Sequence, residues 1–294
     1  MHLNNHEMKE CSPAHCPEYE FYGCDNLKKA VLSSTDNYIG NFAFKNCTSL
    51  EEVKLPAPKT VIGNFAFENC QHLKGIDLTN VKKIGMGAFK DCNRLLRIKL
   101  PQRLYEIENL TFFSTGFRQI RLPVTVGYIG SQAFAFCNHL IDFHMPPRVK
   151  AIKPYTFQEC RVLQSFDFNH TEVIGMGAFA GCIKLKSLHN VKYIKKIEMN
   201  AFENCFFLEA FHVPEGVEVI PQRAFQGCKR LRRIYLPSTI NKIYDTAFKE
   251  CKEMRIICPA GSYAQEWAER NGIKYECQQT QFDSDAEGVS PQGD

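Results

Sequence analysis

The sequence predicts an α/β solenoid of about eleven parallel turns, each 22–23 residues long, on three observations. Phe recurs at 21, 44, 67, 89, 112, 134, 157, 179, 202, 225 and 248, always 22 or 23 residues apart. Cys follows three residues after each Phe except at Thr115, and Ile stands five residues before each Phe from Phe44 onward. After each Cys the chain reads apolar-x-x-apolar-x-apolar, as in Leu50-x-x-Val53-x-Leu55 and Leu231-x-x-Ile234-x-Leu236. A period of this length marks a repeat array, in which each turn buries its apolar face only by stacking on its neighbours.

Residues 1–16 read as a flexible N-terminal arm. His2, His6, Cys11, His15 and Cys16 are metal-capable, but their spacing matches no compact finger. The solenoid spans 17–259, and 17–32 form an imperfect N-terminal cap turn: Phe21, Cys24 and Leu27 fit the columns, while no upstream Ile precedes them.

Within each full turn, the alternation after Cys is the period-2 signature of a short strand with one buried face, and a following Pro stops it. Eleven such strands in parallel, about 4.8 Å apart, predict one ladder roughly 50 Å long. A second short strand is expected just before the Ile. The Ala-Phe-x-x-Cys half has near-helical spacing, which suits a short helical turn that drops Phe and Cys inward. Gly at 40, 63, 85, 130 and 175 is expected at a bend that needs freedom in φ. Shorter turns lose a residue at Thr79-Asn80, at Asn169-His170 and at Thr115-Gly116-Phe117, so connections vary while core positions hold.

A C-terminal capping segment occupies 260–277. Ser262 is an N-cap, Tyr263, Trp267 and Ala268 share one helical face, and Asn271-Gly272 is a stop signal. Beyond it, 278–294 carries Asp283, Asp285, Glu287 and Asp294 with no basic residue, the composition of a disordered acidic tail.

Without that tail, 36 basic residues face 28 acidic ones, a net charge near +8, and the excess is interleaved rather than gathered. Phosphate recognition concentrates Lys and Arg on one face, so the pattern argues against nucleic acid as the partner. Of the 14 Cys, ten recur once per turn, a packing period rather than a bridge pattern, and read as buried free thiols. Cys11, Cys16, Cys258 and Cys277 fall outside that column and are the candidates for oxidation. No apolar run suits a membrane span, and the first ten residues hold no signal-like stretch, which leads to an expectation of a cytoplasmic protein. Export to the surface by another route is the alternative.

The seventh residue after each Cys points away from the core in this register. Turn by turn it gives Lys54, Asp77, Lys99, Arg121, His144, Asp167, His189, His212 and Tyr235, a candidate partner-binding column. Its imidazoles and carboxylates could hold a metal or gain charge together in acid. Parallel side chains on a ladder do not converge on a point, so no metal site is assigned. Asp77 and Asp167 both fall in the shorter type of turn, which gives them a structural reading as well.

Phe113, Phe136, Phe206 and Phe207 exceed what the core columns require. They form a hydrophobic contact surface that would support self-association, or they fold back over adjacent turns; the residues do not choose between these. No phosphate-cradling Gly loop, Gly-x-Ser-x-Gly turn or His-Glu-x-x-His occurs, so neither catalysis nor a cofactor is expected.

The joint pattern Ile-Gly-x-x-Ala-Phe-x-x-Cys-x-x-Leu-x-x-Ile-x-Leu-Pro, with the closing Pro259 to Tyr275 segment, resembles the BspA-type leucine-rich repeats over about residues 21–277. The resemblance implies a right-handed leucine-rich repeat array and a non-catalytic, protein-binding role. Family members are common among surface proteins of host-associated bacteria and some parasitic protists, which implies adhesion to host or matrix proteins. An intracellular interaction scaffold or regulator is the alternative.

Overall fold

The computed structural model describes residues 9–10, 18–32, 37–55 and 60–278. His2, His6, Cys11, His15 and Cys16, and the acidic residues of the tail, lie outside these segments.

The chain winds into a solenoid with two parallel ladders running along it. The principal ladder carries the strands that follow each Cys. It begins with Lys29–Val31, Glu52–Lys54, Gly75–Asp77 and Arg97–Lys99, with Lys9–Glu10 added in front of them. Asp142–His144, Ser165–Asp167 and Ser187–His189 follow, and then Ala210–His212, Arg233–Tyr235, Arg255–Pro259 and Tyr275–Gln278. The second ladder consists of strands ending in the repeat Ile, such as Tyr38–Ile39, Thr60–Ile62 and Val81–Ile84.

The core fills the space between the ladders and the turns. Column Phe rings stack from Phe21 through Phe248, with neighbouring centroids 5.0 to 5.9 Å apart. Each ring covers the one before it, and from Phe44 to Phe225 they are fully buried. Beside them, each column thiol from Cys47 onward donates to the backbone carbonyl of the preceding turn's Phe, as from Cys70 to Phe44 at 3.1 Å and from Cys228 to Phe202 at 3.1 Å. Thr115 departs from this pattern: its hydroxyl donates to the Phe112 carbonyl of its own turn at 3.0 Å, the same oxygen that accepts from the Cys137 thiol of the next turn at 3.1 Å. The column thiols within the described residues are free, and only the end members Cys24 and Cys251 are half-buried. Burial pushes Cys47 and Cys251 up to about 12, which makes them poor nucleophiles.

Three features depart from the sequence expectations. The principal ladder is not continuous: it divides into three sheets, with breaks after Arg97–Lys99 and after Ser187–His189. The first break falls in the turn that drops a residue. There Gly116 sits so close to the preceding turn that a Cβ would lie 2.4 Å from the Asn93 carbonyl oxygen, and residues 119–121 form no strand. The second falls where Asn190 takes a φ of 60° and Val191–Tyr193 forms a single 3-10 turn.

The Ala-Phe-x-x-Cys half is also not helical. Its amides alternate between two destinations: Phe42, Phe44 and Asn46 donate to carbonyls of the next turn, whereas Ala43, Lys45 and Cys47 donate three residues back. A helix would send every amide back along its own chain. The alternation instead ties the turns together, with left-handed backbone two residues before and two after the Phe, as at Phe42 and Asn46 or Tyr155 and Glu159. Such conformations cost a non-glycine residue of order 1–3 kcal/mol each, and persist where the surroundings over-determine them; here the bonds between turns do so.

Finally, the repeat glycines serve close approach rather than φ. At Gly63 and Gly175 a Cβ would stand 2.7 and 2.5 Å from backbone atoms of the preceding turn, and neither has a positive φ.

The C-terminal end closes as expected. Helix Tyr263–Arg270 starts at Ser262, whose hydroxyl accepts from the Gln265 amide, and it buries Ala264, Trp267 and Ala268. The Trp267 ring meets Phe248 edge-on at 6.0 Å and so covers the last ring of the stack. The strand Tyr275–Gln278 after the helix was not anticipated; it returns to pair with Arg255–Pro259.

Candidate functional site

In the three-residue principal strands the central residue points inward and its two neighbours point outward. Ala30, Val53, Ile76, Phe143, Phe166, Phe211 and Ile234 are the buried central members. Alternation therefore presents the seventh-position residues, and parallel register aligns them: Asp77 opposite Lys99, His144 opposite Asp167, Asp167 opposite His189, and His212 opposite Tyr235. Asp167 and Tyr235 are half-buried, and the other seven are exposed. The ladder breaks divide them into Lys54, Asp77 and Lys99, then His144, Asp167 and His189, then His212 and Tyr235, with Arg121 outside any strand.

Local chemistry differs among these groups. Asp77 accepts from the Thr79 amide at 3.1 Å and the Thr79 hydroxyl at 2.7 Å, and its second oxygen meets Lys99 Nζ at 2.9 Å. The Thr79 hydroxyl first, then Lys99, hold this carboxyl down at about 2. Asp167 repeats the arrangement: one oxygen accepts from the Asn169 amide at 2.9 Å and from Asn190 Nδ2 at 2.7 Å, while the other faces His144 Nδ1 at 3.5 Å. Burial alone would raise this carboxyl, but these hydrogen bonds outweigh it and hold the group below the usual range. Both aspartates thus close the short connection that follows them and still present a charge to a neighbouring strand. The His212 and Tyr235 rings stack at 3.7 Å with only 8° between their planes, forming one flat aromatic plate.

Period-2 geometry brings a further column onto this face, two residues earlier, which the sequence reading missed although the same alternation signals it. Glu52 bridges Lys29 at 3.3 Å and Lys54 at 3.6 Å, and Gln119 donates to Asp142 at 2.8 Å. Arg233 and Arg255 continue it, and with Glu209, Arg232, Glu253 and Glu276 they line a cleft of about 720 Å³. The face is consequently a mosaic of paired charges.

The additional phenylalanines form two separate pairs. Phe113 and Phe136 lie 5.1 Å apart in adjacent turns, and Phe206 and Phe207 lie 5.3 Å apart. All four are half-buried. The Arg230 guanidinium covers Phe207 at 4.3 Å. A third aromatic row, unnoticed in the sequence, runs Tyr19–Phe42–Phe65 with centroids 5.0 and 5.4 Å apart, and the Phe65 ring occupies the space beside Gly87. Its signal is an aromatic residue two positions before the column Phe. Along the second ladder, Met176, Met199, Val219, Pro221 and Tyr244 line a mainly apolar cleft of about 710 Å³.

Among the described residues no three His, Cys, Asp or Glu side chains converge to hold a metal ion, and no helix is long and apolar enough to cross a membrane.

Comparison with known proteins places this geometry. A leucine-rich cell surface protein of Faecalibacterium prausnitzii is 27% identical, with a TM-score of 0.56, covering 89% of this chain and 79% of that one. A leucine-rich repeat protein of Bacteroides ovatus is 22% identical, with a TM-score of 0.55 over 90% of this chain and 88% of that one. One from Eubacterium ventriosum, 20% identical, has a TM-score of 0.53 over 81% and 80%. The last two show the shared fold alone. No curated protein sequence matches the chain. The cytoplasmic placement expected from the N-terminal residues finds no support in these matches. The BspA type leucine rich repeat region matches in 6 copies across 14–141, 60–186 and 150–264. The chain belongs to the BspA-type leucine-rich repeat family.

Proposed function

We propose that this chain is a non-catalytic binding protein that engages another protein through the outer face of its principal ladder, at the cell surface. The observation that carries the reading is the parallel register, which lines up charged and aromatic side chains on a face left open by the core. Aromatic and cationic side chains at such a face are the types that dominate binding energy in protein interfaces. His144, His189, His212 and Tyr235 form its centre, flanked by Lys54, Lys99 and Arg121. The paired charges argue for a partner of mixed charge rather than a polyanion. Surface placement draws on the likeness to the Faecalibacterium prausnitzii cell surface protein.

Two measurements test this. Protease treatment of intact source cells should degrade the protein; protection until lysis would instead place the same face in an intracellular scaffold. Binding of the purified chain to an extracellular-matrix preparation should weaken roughly tenfold, about 1.4 kcal/mol, when His144, His189, His212 and Tyr235 are replaced together by Ala. Unchanged binding by a correctly folded variant would reject the face.

A further inference from the structure

The terminal strand Tyr275–Gln278 lies parallel beside Arg255–Pro259, and its register sets Cys258 directly opposite Cys277. Residues opposite one another in parallel strands project to the same side of the sheet. Their Cα atoms sit about 4.8 Å apart, inside the roughly 4.4–6.8 Å span that a disulfide bridges. The helix Tyr263–Arg270 covers that side. Cys277 Sγ stands 3.4 Å from Gln265 Oε1 on that helix.

Accessibility separates this pair from the thiols of the repeat column. Cys277 is exposed, whereas Cys258 is 1% exposed and Cys70 through Cys228 are sealed in the core. A solution oxidant therefore meets Cys277 first, with Cys258 waiting behind it as the resolving thiol. Cys24 and Cys251 are half-buried at opposite ends of the column and lack such a partner strand.

We propose that Cys258 and Cys277 are a redox modification site, joined as a disulfide that fastens the terminal strand and the capping helix to the end of the solenoid. The oxidant is a small-molecule disulfide such as oxidised glutathione. Cys277 loses its proton to solvent, and its thiolate attacks one glutathione sulfur; the glutathione S–S bond breaks and one glutathione thiolate leaves. Cys258 then loses its proton and attacks the Cys277 sulfur of the mixed disulfide. The Cys258–Cys277 bond forms and the second glutathione leaves. Two protein thiols are oxidised, and one glutathione disulfide is reduced to two thiols.

The bond closes a loop that contains the whole capping helix. Trp267 on that helix covers Phe248, the last ring of the stack. Terminal turns of a repeat array have a neighbour on one side only and open first. The bridge therefore holds the lid where fraying would otherwise start.

The test uses the full chain, equilibrated with oxidised glutathione, alkylated and mapped by mass spectrometry. A peptide pair linking Cys258 to Cys277 and lighter by about 2 Da than the reduced pair is expected. It should be lost in C277S. Amide exchange at Tyr275–Gln278 should slow at least roughly tenfold in the oxidised wild type relative to the reduced wild type, with no such difference in C277S. A stable glutathione adduct on Cys277 with Cys258 free, a bridge from Cys277 to Cys11 or Cys16, or an intact thiol pair under oxidising conditions would each overturn the assignment. So would a Cys258–Cys277 bond that leaves exchange unchanged, since the lid would then be fastened without it.

Discussion

Phe157 and Asp167 belong to the same turn, and each faces a counterpart one turn away, yet the two sides of the solenoid follow different rules. Inside, Phe157 stacks on Phe134 and Phe179 at 5.6 Å. A smaller side chain there leaves a void that water cannot usefully fill, so the residue type repeats. Outside, Asp167 faces His144 on one neighbouring strand and His189 on the other. Solvent can replace any partner lost there, so the outer column runs through lysine, aspartate, arginine, histidine and tyrosine. The translation along the array is shared. Desolvation decides which side must repeat.

Breaking the inner side should produce the largest effects. Phe134 is fully buried, with ring contacts to Phe112, Phe143 and Phe157. Phe134→Ala should destabilise by about 3–5 kcal/mol in urea unfolding, the cost of a large-to-small core change. A loss below about 1 kcal/mol would show that the stack does not carry the fold. Next comes Gly175→Ala, whose added Cβ would meet the Ile152 carbonyl oxygen at 2.5 Å. Backbone cannot move aside as a side chain can, so a loss of about 1–3 kcal/mol is expected from overpacking. Equal stability would mean that adjacent turns separate at little cost.

On the outer side the effect should shrink to a fraction of this. Asp77→Asn keeps an acceptor for Thr79 and removes the ion pair with Lys99, an exposed interaction worth no more than about 0.5 kcal/mol after solvent screening. The sign with pH follows from the depressed carboxyl. Its contribution is complete above the ordinary carboxylate value of about 3.9 and disappears as pH falls through the folded-state value of about 2. Wild type and variant should therefore converge in stability over that acidic window, as measured by thermal unfolding at low salt. A difference that persists below it would point to packing rather than charge.

The Phe, Cys and Ile columns were legible because each is a requirement of self-stacking and so recurs at one period. The capping helix was legible for a local reason: Ser262 and Asn271-Gly272 carry their own start and stop chemistry. Of the two left-handed positions in each turn, the one after the Phe leaves a trace, as Gly23, Asn46, Asn69, Asp91, Gly181, Asn204 and Gly227, whereas the one before it was not legible. Phe42, Leu110, Gln132 and Tyr155 all adopt positive φ there, and none is a residue that favours it. Hydrogen bonds from these amides to the next turn impose the conformation without marking the residue type. The breaks in the principal ladder were hidden for the opposite reason. Phe117-x-x-Ile120-x-Leu122 preserves the core pattern where no strand forms, and the ring stack runs through the gap from Phe112 to Phe134. On the candidate face, the seventh-position column could be read from spacing, whereas the pairing of Asp167 with Asn190 and His144 depends on side-chain directions set by the short connection.

The thiol of each turn has one more consequence. Buried and bonded to a carbonyl, it is inert while its turn is closed, and it becomes an ordinary reactive cysteine when the turn opens. Cys47 through Cys251 thus give the molecule a numbered set of internal clocks, one for each stretch of the array except that of Thr115. Alkylation rates read along the chain would time the opening of each segment separately, and would locate where unravelling begins and whether it crosses the silent turn in the middle.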